Sequence, residues 1–274
     1  MRALVLSGGG SRGAFQAGVI RALAERGTRW DVIAGVSVGA LNAAFLAQHA
    51  RSEHVAAARG LRDFWARVNG NASVYRRWFP FGRLHGLWRG SLYDTTPLAK
   101  TVAANLDPEK LRRSDVKLLV GAVCLETGEY RYVEGTDPDI REWVLASSAF
   151  PVAFPPRVIE GKHWVDGGIR DITPITDVLA LQPDAIDIVL TAPLGEPMGS
   201  MPARQTSNAL QVALRSAYLM SDEVFNGDLE RVPEADRPKL RVYAPPAGHP
   251  LPDGLDFDPV RIAELYALGY QAGT

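Results

Sequence analysis

Two strand, glycine-turn and helix units follow one another before Leu46, and this repetition restricts the fold more than any other feature of the chain. The first unit opens with the apolar run Ala3-Leu4-Val5-Leu6. It passes through Gly8-Gly9-Gly10-Ser11-Arg12-Gly13 and continues into Ala14 to Leu23, which is apolar at helical spacing and ends at Gly27. The second opens with Asp31 to Ala34, turns at Gly35-Val36-Ser37-Val38-Gly39 and enters an alanine-rich helix from Ala40 to Leu46. A strand this apolar is covered on both faces. Two of them, each followed by a helix, imply a parallel sheet with helices packed on it.

The remainder of the chain supports a mixed sheet. Lys117 to Leu125 reads as a strand, Glu126-Thr127-Gly128-Glu129 as a turn, and Tyr130 to Val133 as its hairpin partner. Ile140 to Ala149 is an expected helix stopped by Pro151, and Ile159 to Asp166 an expected hairpin with a glycine turn. Ile186 to Thr191 reads as a further buried strand. Residues 206–230 and 258–271 have helical amphipathic patterns, joined by a proline-rich loop around Ala244 to Pro252. Residues 51–105 read as mostly helical or irregular, with an aromatic and basic stretch from Tyr75 to Trp88. The expectation is one domain over residues 1–274, with a catalytic core at about 1–195 and a helical extension at about 200–274.

Composition excludes several function classes. At a formal net charge of -1 the chain has no global attraction for nucleic acid. The single cysteine, Cys124, lies in an apolar run and reads as a buried thiol in a reducing compartment. The apolar run after Arg2 stops at Gly8, too short for the core of a signal peptide, and no run reaches the roughly 18 apolar residues of a membrane span. A cytoplasmic location is expected, with peripheral membrane contact left open.

The chemistry is concentrated in three motifs. Ser37 sits in Gly-x-Ser-x-Gly between a strand and a helix, where Gly35 and Gly39 permit a sharp turn and the helix N-terminus favours negative charge at the hydroxyl. The Gly8 to Gly10 run lets several backbone N–H groups face one cavity, as an oxyanion hole requires, and Arg12 either braces that loop or neutralises a phosphate. Asp166, in Trp164-Val165-Asp166-Gly167-Gly168, is an acid at a strand end. The spacing Gly8-x-Gly10-x-x-Gly13 also fits a dinucleotide turn, but the acid that should close the second strand is missing, because that strand runs into Ser37. None of the five histidines stands where a triad base would, and His163 lies three residues before Asp166 on a strand, facing away from it. A Ser37–Asp166 dyad is the economical reading.

Together these residues resemble the patatin-like phospholipase family. Gly8-Gly9-Gly10-Ser11-Arg12-Gly13 is similar to its oxyanion-hole motif, Gly35-Val36-Ser37-Val38-Gly39 to its nucleophile elbow, and Asp166-Gly167-Gly168 to its Asp-Gly-Gly motif. Ala146 to Pro156 and Ser91 to Leu98 resemble two further family blocks, and the motif order agrees. One departure is Asp171-Ile172-Thr173-Pro174, where many members carry asparagine before the proline. The resemblance implies a three-layer α/β/α fold with a mainly parallel sheet, a Ser–Asp dyad, hydrolysis of acyl esters of lipids, and no metal or organic cofactor. The alternatives are a Ser–His–Asp esterase with His163 or His249 as base, and a non-catalytic lipid-binding or scaffolding protein on the same fold.

Overall fold

In the computed structural model, residues 1–79, 90–194 and 209–274 are described. Strands β1 (Arg2–Leu6) and β2 (Val32–Gly35) pair in parallel, with Ala3 opposite Val32 and Leu6 opposite Gly35. β3 (Arg76–Arg77) and β4 (Tyr93–Asp94) pair as a separate antiparallel ribbon, and the third strand of the parallel set is β5 (Lys117–Cys124), on the far side of β2. On the other side of β1 lie β9 (Ala185–Val189) and then β10 (Leu240–Tyr243), both parallel. β10 was not expected from the sequence, which suggested only helices and a loop there. Its residues are half-exposed or exposed, and such an edge strand lacks the apolar run that marks a central one.

Each parallel strand alternates its side chains between two cores, as a period of two demands. Leu4, Leu6 and Ile33 enter the larger core, packed by α1 (Gly13–Glu25), α2 (Val38–Ala47) and α3 (His54–Ala66). Ala3, Val5, Val32, Ala34, Ile186 and Ile188 enter the second core with Ile175 and Val178, the latter from α7 (Thr176–Ala180). The result is the expected three-layer arrangement. α4 (Thr96–Asn105), α5 (Pro108–Arg113) and α6 (Ile140–Ser147) complete the first part of the chain. α8 (Ala209–Glu230) and α9 (Pro259–Gly273) follow in the C-terminal part, and α9 packs along α1. The described start of α8 falls three residues after the expected one, and residues 206–208 lie outside the described set.

Both expected hairpins form, and both pair with the same strand. β6 (Tyr130–Glu134) runs antiparallel to β5 over Leu119 to Val123. β7 (Arg157–Ile159) and β8 (Lys162–Asp166) form the second hairpin, and β8 pairs antiparallel with β5 from Ala122 to Cys124. β6 overlaps the pairing zones of both β2 and β8, so those two strands share the opposite edge of β5, one after the other. No helix among the described residues is long and apolar enough to cross a membrane.

Of the aromatic stretch from Tyr75 to Trp88, Tyr75 packs inward against Tyr93, Phe154 and Phe257, whereas Phe79 is exposed. Phe81, Arg83 and Trp88 lie outside the described residues.

Candidate active site

The site forms where β1 and β2 end. Ser37 follows β2 by two residues and caps α2, with φ 58° and ψ -127°. A non-glycine residue held there stores on the order of 1–3 kcal/mol of strain, so its surroundings must fix it. They do so through two serines at the end of α6. The Ser147 hydroxyl accepts the Ser37 amide at 3.0 Å, and the Ser148 hydroxyl donates to the Ser37 carbonyl at 3.2 Å. Gly35 admits the tight turn, since a Cβ there would lie 2.3 Å from the Gly39 carbonyl oxygen.

Asp166 ends β8 and is buried, at 1% exposure. Its Oδ1 accepts the Gly168 amide at 2.8 Å, the buried Oδ2 makes no full hydrogen bond among the described residues, and the Ser37 hydroxyl is near enough to favour the charged form. Burial pushes the carboxyl up to about 7, against the opposing pull of the Ser37 hydroxyl and the Gly168 amide. Gly167 packs over the Gly121 carbonyl of β5.

Ser37, Asp166 and Gly168 line one cavity of about 110 Å³ together with Gly8, Gly9 and Gly10. The glycine turn therefore faces the serine and the aspartate, the grouping that the sequence suggested. Its amides are not equivalent. Gly8 N–H donates to the Ile172 carbonyl, Ser11 N–H to Gly254, Arg12 N–H to Gly9, and Gly13 N–H to Gly10. Gly9 and Gly10 N–H have no acceptor among the described residues, and neither does Val38 N–H, directly after the serine. The six-residue motif thus narrows to two amide donors plus one from the elbow.

Several residues that shape the site were not singled out in the sequence. Behind the glycine turn, the Gln16 amide donates to the Ser7 carbonyl at 2.8 Å, Asn42 donates to Gln16 and to the Gly13 carbonyl, and the Trp65 indole donates to Asn42. This buried polar network ties α1, α2 and α3 to the turn. On the other side, the Asp228 carboxylate of α8 accepts the amides of Ile172 and Thr173, both at 2.9 Å, and Ile172 lines the cavity. Asp171, in the segment Asp171-Ile172-Thr173-Pro174 that departs from the resemblance, accepts the Tyr132 hydroxyl. Polar side chains are common on any surface, so no local pattern marked these partners.

A second cavity, of about 280 Å³, is also lined by Ser37. Leu41, Phe64, Val68, Val74 and Leu98 make it largely apolar. A small hollow of about 20 Å³ lies beyond Leu41 and Phe64, against Val102 and Val144. Among the described residues no histidine lines either cavity that contains Ser37. His163 bonds Glu126 at 2.7 Å and is exposed, and His249 sits in an exposed loop. His85 lies outside the described residues.

Residues 4–179 match the family model described as Patatin-like phospholipase. The chain is 32% identical over 198 residues to the cGAMP-activated phospholipase of Vibrio cholerae, covering 62% of this chain and 54% of that protein. It is 26% identical over 298 residues to lysophospholipase nte1 of Neurospora crassa, covering 98% of this chain and 18% of that protein. It therefore spans about half the length of the first relative and less than a fifth of the second. Among solved structures, VipD from Legionella pneumophila matches with a TM-score of 0.50 and 17% identity, over 99% of this chain and 66% of that one, a likeness of fold alone.

Proposed function

The chain belongs to the patatin-like phospholipase family, and from that premise we propose that it hydrolyses fatty-acyl esters of phospholipids or lysophospholipids through a Ser37–Asp166 dyad. The observation that carries this reading is the buried Asp166 carboxyl, which feels the Ser37 hydroxyl and lines one cavity with Ser37, Gly9 and Gly10. A carboxyl held near neutrality by burial is suited to take and return a proton at physiological pH.

Asp166 accepts the Ser37 proton as Oγ attacks the ester carbonyl. The amides of Gly9, Gly10 and Val38 stabilise the tetrahedral oxyanion, an effect of about 2.7–4 kcal/mol per donor in other hydrolases. Collapse breaks the ester C–O bond, and the proton on Asp166 passes to the departing alcohol. The acyl group is now on Ser37. A water molecule then attacks it, Asp166 takes the water's proton, and Oγ leaves with that proton as the fatty acid departs. Residues of this chain supply every proton transfer in the cycle.

The apolar cavity beside Leu41 and Phe64 suits the acyl chain, because it begins at Ser37 and its lining has few polar groups. The lysophospholipase and phospholipase relatives support a lipid substrate. Peripheral contact with a membrane follows from such a substrate, and the exposed Phe79 is a candidate contact.

The test is a panel of phospholipids, lysophospholipids, acylglycerols and short esters, with fluorophosphonate labelling as a second readout. Turnover and a covalent adduct on Ser37, both lost in Ser37→Ala, are expected. An unlabelled Ser37 with no turnover would mean that the fold here serves lipid binding alone.

A further inference from the structure

The glycine turn does not hold its shape by itself. Three successive carbonyls of the C-terminal part, those of Pro252, Asp253 and Gly254, accept hydrogen bonds from the Ser11-Arg12 dipeptide. Arg12 Nε donates to Pro252 at 2.9 Å, Ser11 Oγ to Asp253 at 3.1 Å, and Ser11 N to Gly254 at 2.8 Å. These bonds cross more than two-thirds of the chain, and the arm lies beyond the residues 4–179 that match the family model.

The fit is close enough to explain a glycine. Gly10 has φ 61°, and a Cβ there would sit 1.9 Å from the Gly254 carbonyl oxygen. The absence of a side chain at Gly10 therefore admits the arm as well as permitting the turn. The arm is anchored in its own right. Tyr75 Oη donates to the Leu255 carbonyl at 2.7 Å, and Phe257 N–H donates to Asn71 Oδ1 at 2.8 Å. Tyr218 Oη donates to Asp253 Oδ1 at 3.2 Å. Immediately afterwards the Asp258 side chain caps α9, which packs on α1.

Resting on the reading of Ser37 as an acyl-transfer nucleophile, we propose that residues Pro252 to Phe257 form a positioning arm that fixes the glycine turn in its working geometry. By engaging the Ser11 amide and both polar side chains, the arm sets the plane of the preceding peptides, and the amides of Gly9 and Gly10 are left facing the cavity. Donors aimed in advance need not reorganise as charge develops, which is why their placement governs rate more than substrate binding. Arg12 is thereby assigned a bracing role.

Two variants of the full chain test this. Ser11→Ala removes the hydroxyl bond to Asp253, and Ser11 is fully buried and does not line the cavity. Tyr75→Phe removes the hydroxyl that donates to Leu255, at a residue lining neither cavity that contains Ser37. Each is assayed for kcat and KM on a p-nitrophenyl acyl ester, for inhibition by an alkylboronic acid, whose adduct on Ser37 mimics the tetrahedral state, and for Tm. The expected result is a kcat lower by roughly tenfold and a boronate Ki raised in proportion, with KM within about twofold and Tm within a few degrees. Unchanged kcat and Ki, or a kcat that falls only with Tm while Ki stays, overturns the arm's role. Tyr75→Phe keeps the test decisive should Ser11→Ala not fold. A parent chain with no turnover and no label on Ser37 removes the hydrolase reading and this one together. An active, labelled parent whose variants behave as wild type removes the arm alone.

Discussion

Gly35 and Asp166 end their strands on the same edge of β5, Gly35 opposite Val120 and Asp166 opposite Ala122. One strand runs parallel to β5 and the other antiparallel, so their ends point at each other across Gly121. The elbow that follows Gly35 and the acid that closes β8 are thus delivered to one place by sheet register, although far apart in sequence. A one-residue slip of β8 would turn the Asp166 side chain to the opposite face.

Activity should therefore follow the ionisation of one buried acid. With the Asp166 carboxyl pushed up to about 7, kcat/KM is expected to rise with pH through that value and then level off, since the proposed dyad uses the ionised form as base. A profile with no inflection between pH 6 and 8 would contradict the assignment of Asp166 as base.

The same burial costs stability. The folded carboxyl titrates at about 7 and the ordinary value is 3.8, so the folded chain binds the extra proton in that window. Stability is full below the lower value and falls as pH rises through the upper one, by about 4 kcal/mol in all. Asp166→Asn is expected to abolish turnover yet raise Tm at pH 8 relative to the parent, with the difference vanishing near pH 4. Thermal melts at both pH values check the sign.

His54 gives the opposite dependence. It is fully buried beside Trp30, and neither ring nitrogen has a hydrogen-bond partner among the described residues. Burial and then the charge of Arg29 lower it from 6.5 to about 4. The unfolded chain takes up the proton first on acidification, so about 3 kcal/mol of stability is lost as pH falls from 6.5 to about 4. His54→Phe should flatten this acid limb in denaturant titrations across that range.

Ser147→Ala leaves the Ser37 amide without its partner at a residue held at positive φ. An unsatisfied buried amide costs about 1–3 kcal/mol, and part of that is expected to appear as a misplaced nucleophile. A kcat/KM lower by roughly tenfold, with slower fluorophosphonate labelling of Ser37, is the expected outcome; labelling at the parental rate would show that α6 does not hold the elbow.

Leu41→Trp fills the apolar cavity where it adjoins Ser37 and the small hollow beyond. Hydrolysis of long acyl esters should fall by an order of magnitude or more relative to short ones, which need not pass Leu41. A chain-length series of p-nitrophenyl esters reads this directly. Equal losses at every length would place the acyl chain elsewhere.

Both helical turns, the serine elbow, the acid and the two hairpins were legible because each is local. An apolar run followed by glycines and a helical period is dictated by a few neighbouring residues, and Gly-x-Ser-x-Gly carries its own backbone requirement. What the tertiary structure alone decided is contact between distant segments. Strand registers brought Asp166 to Ser37, Ser147 and Ser148 came to the elbow from the end of α6, and the Pro252–Gly254 carbonyls came to Ser11 and Arg12. β10 and the arm have no signature in the sequence because an exposed edge strand and a run of backbone carbonyls leave no side-chain pattern. A hydrogen bond to a main-chain oxygen can be accepted by any residue, so only the folded chain selects which one.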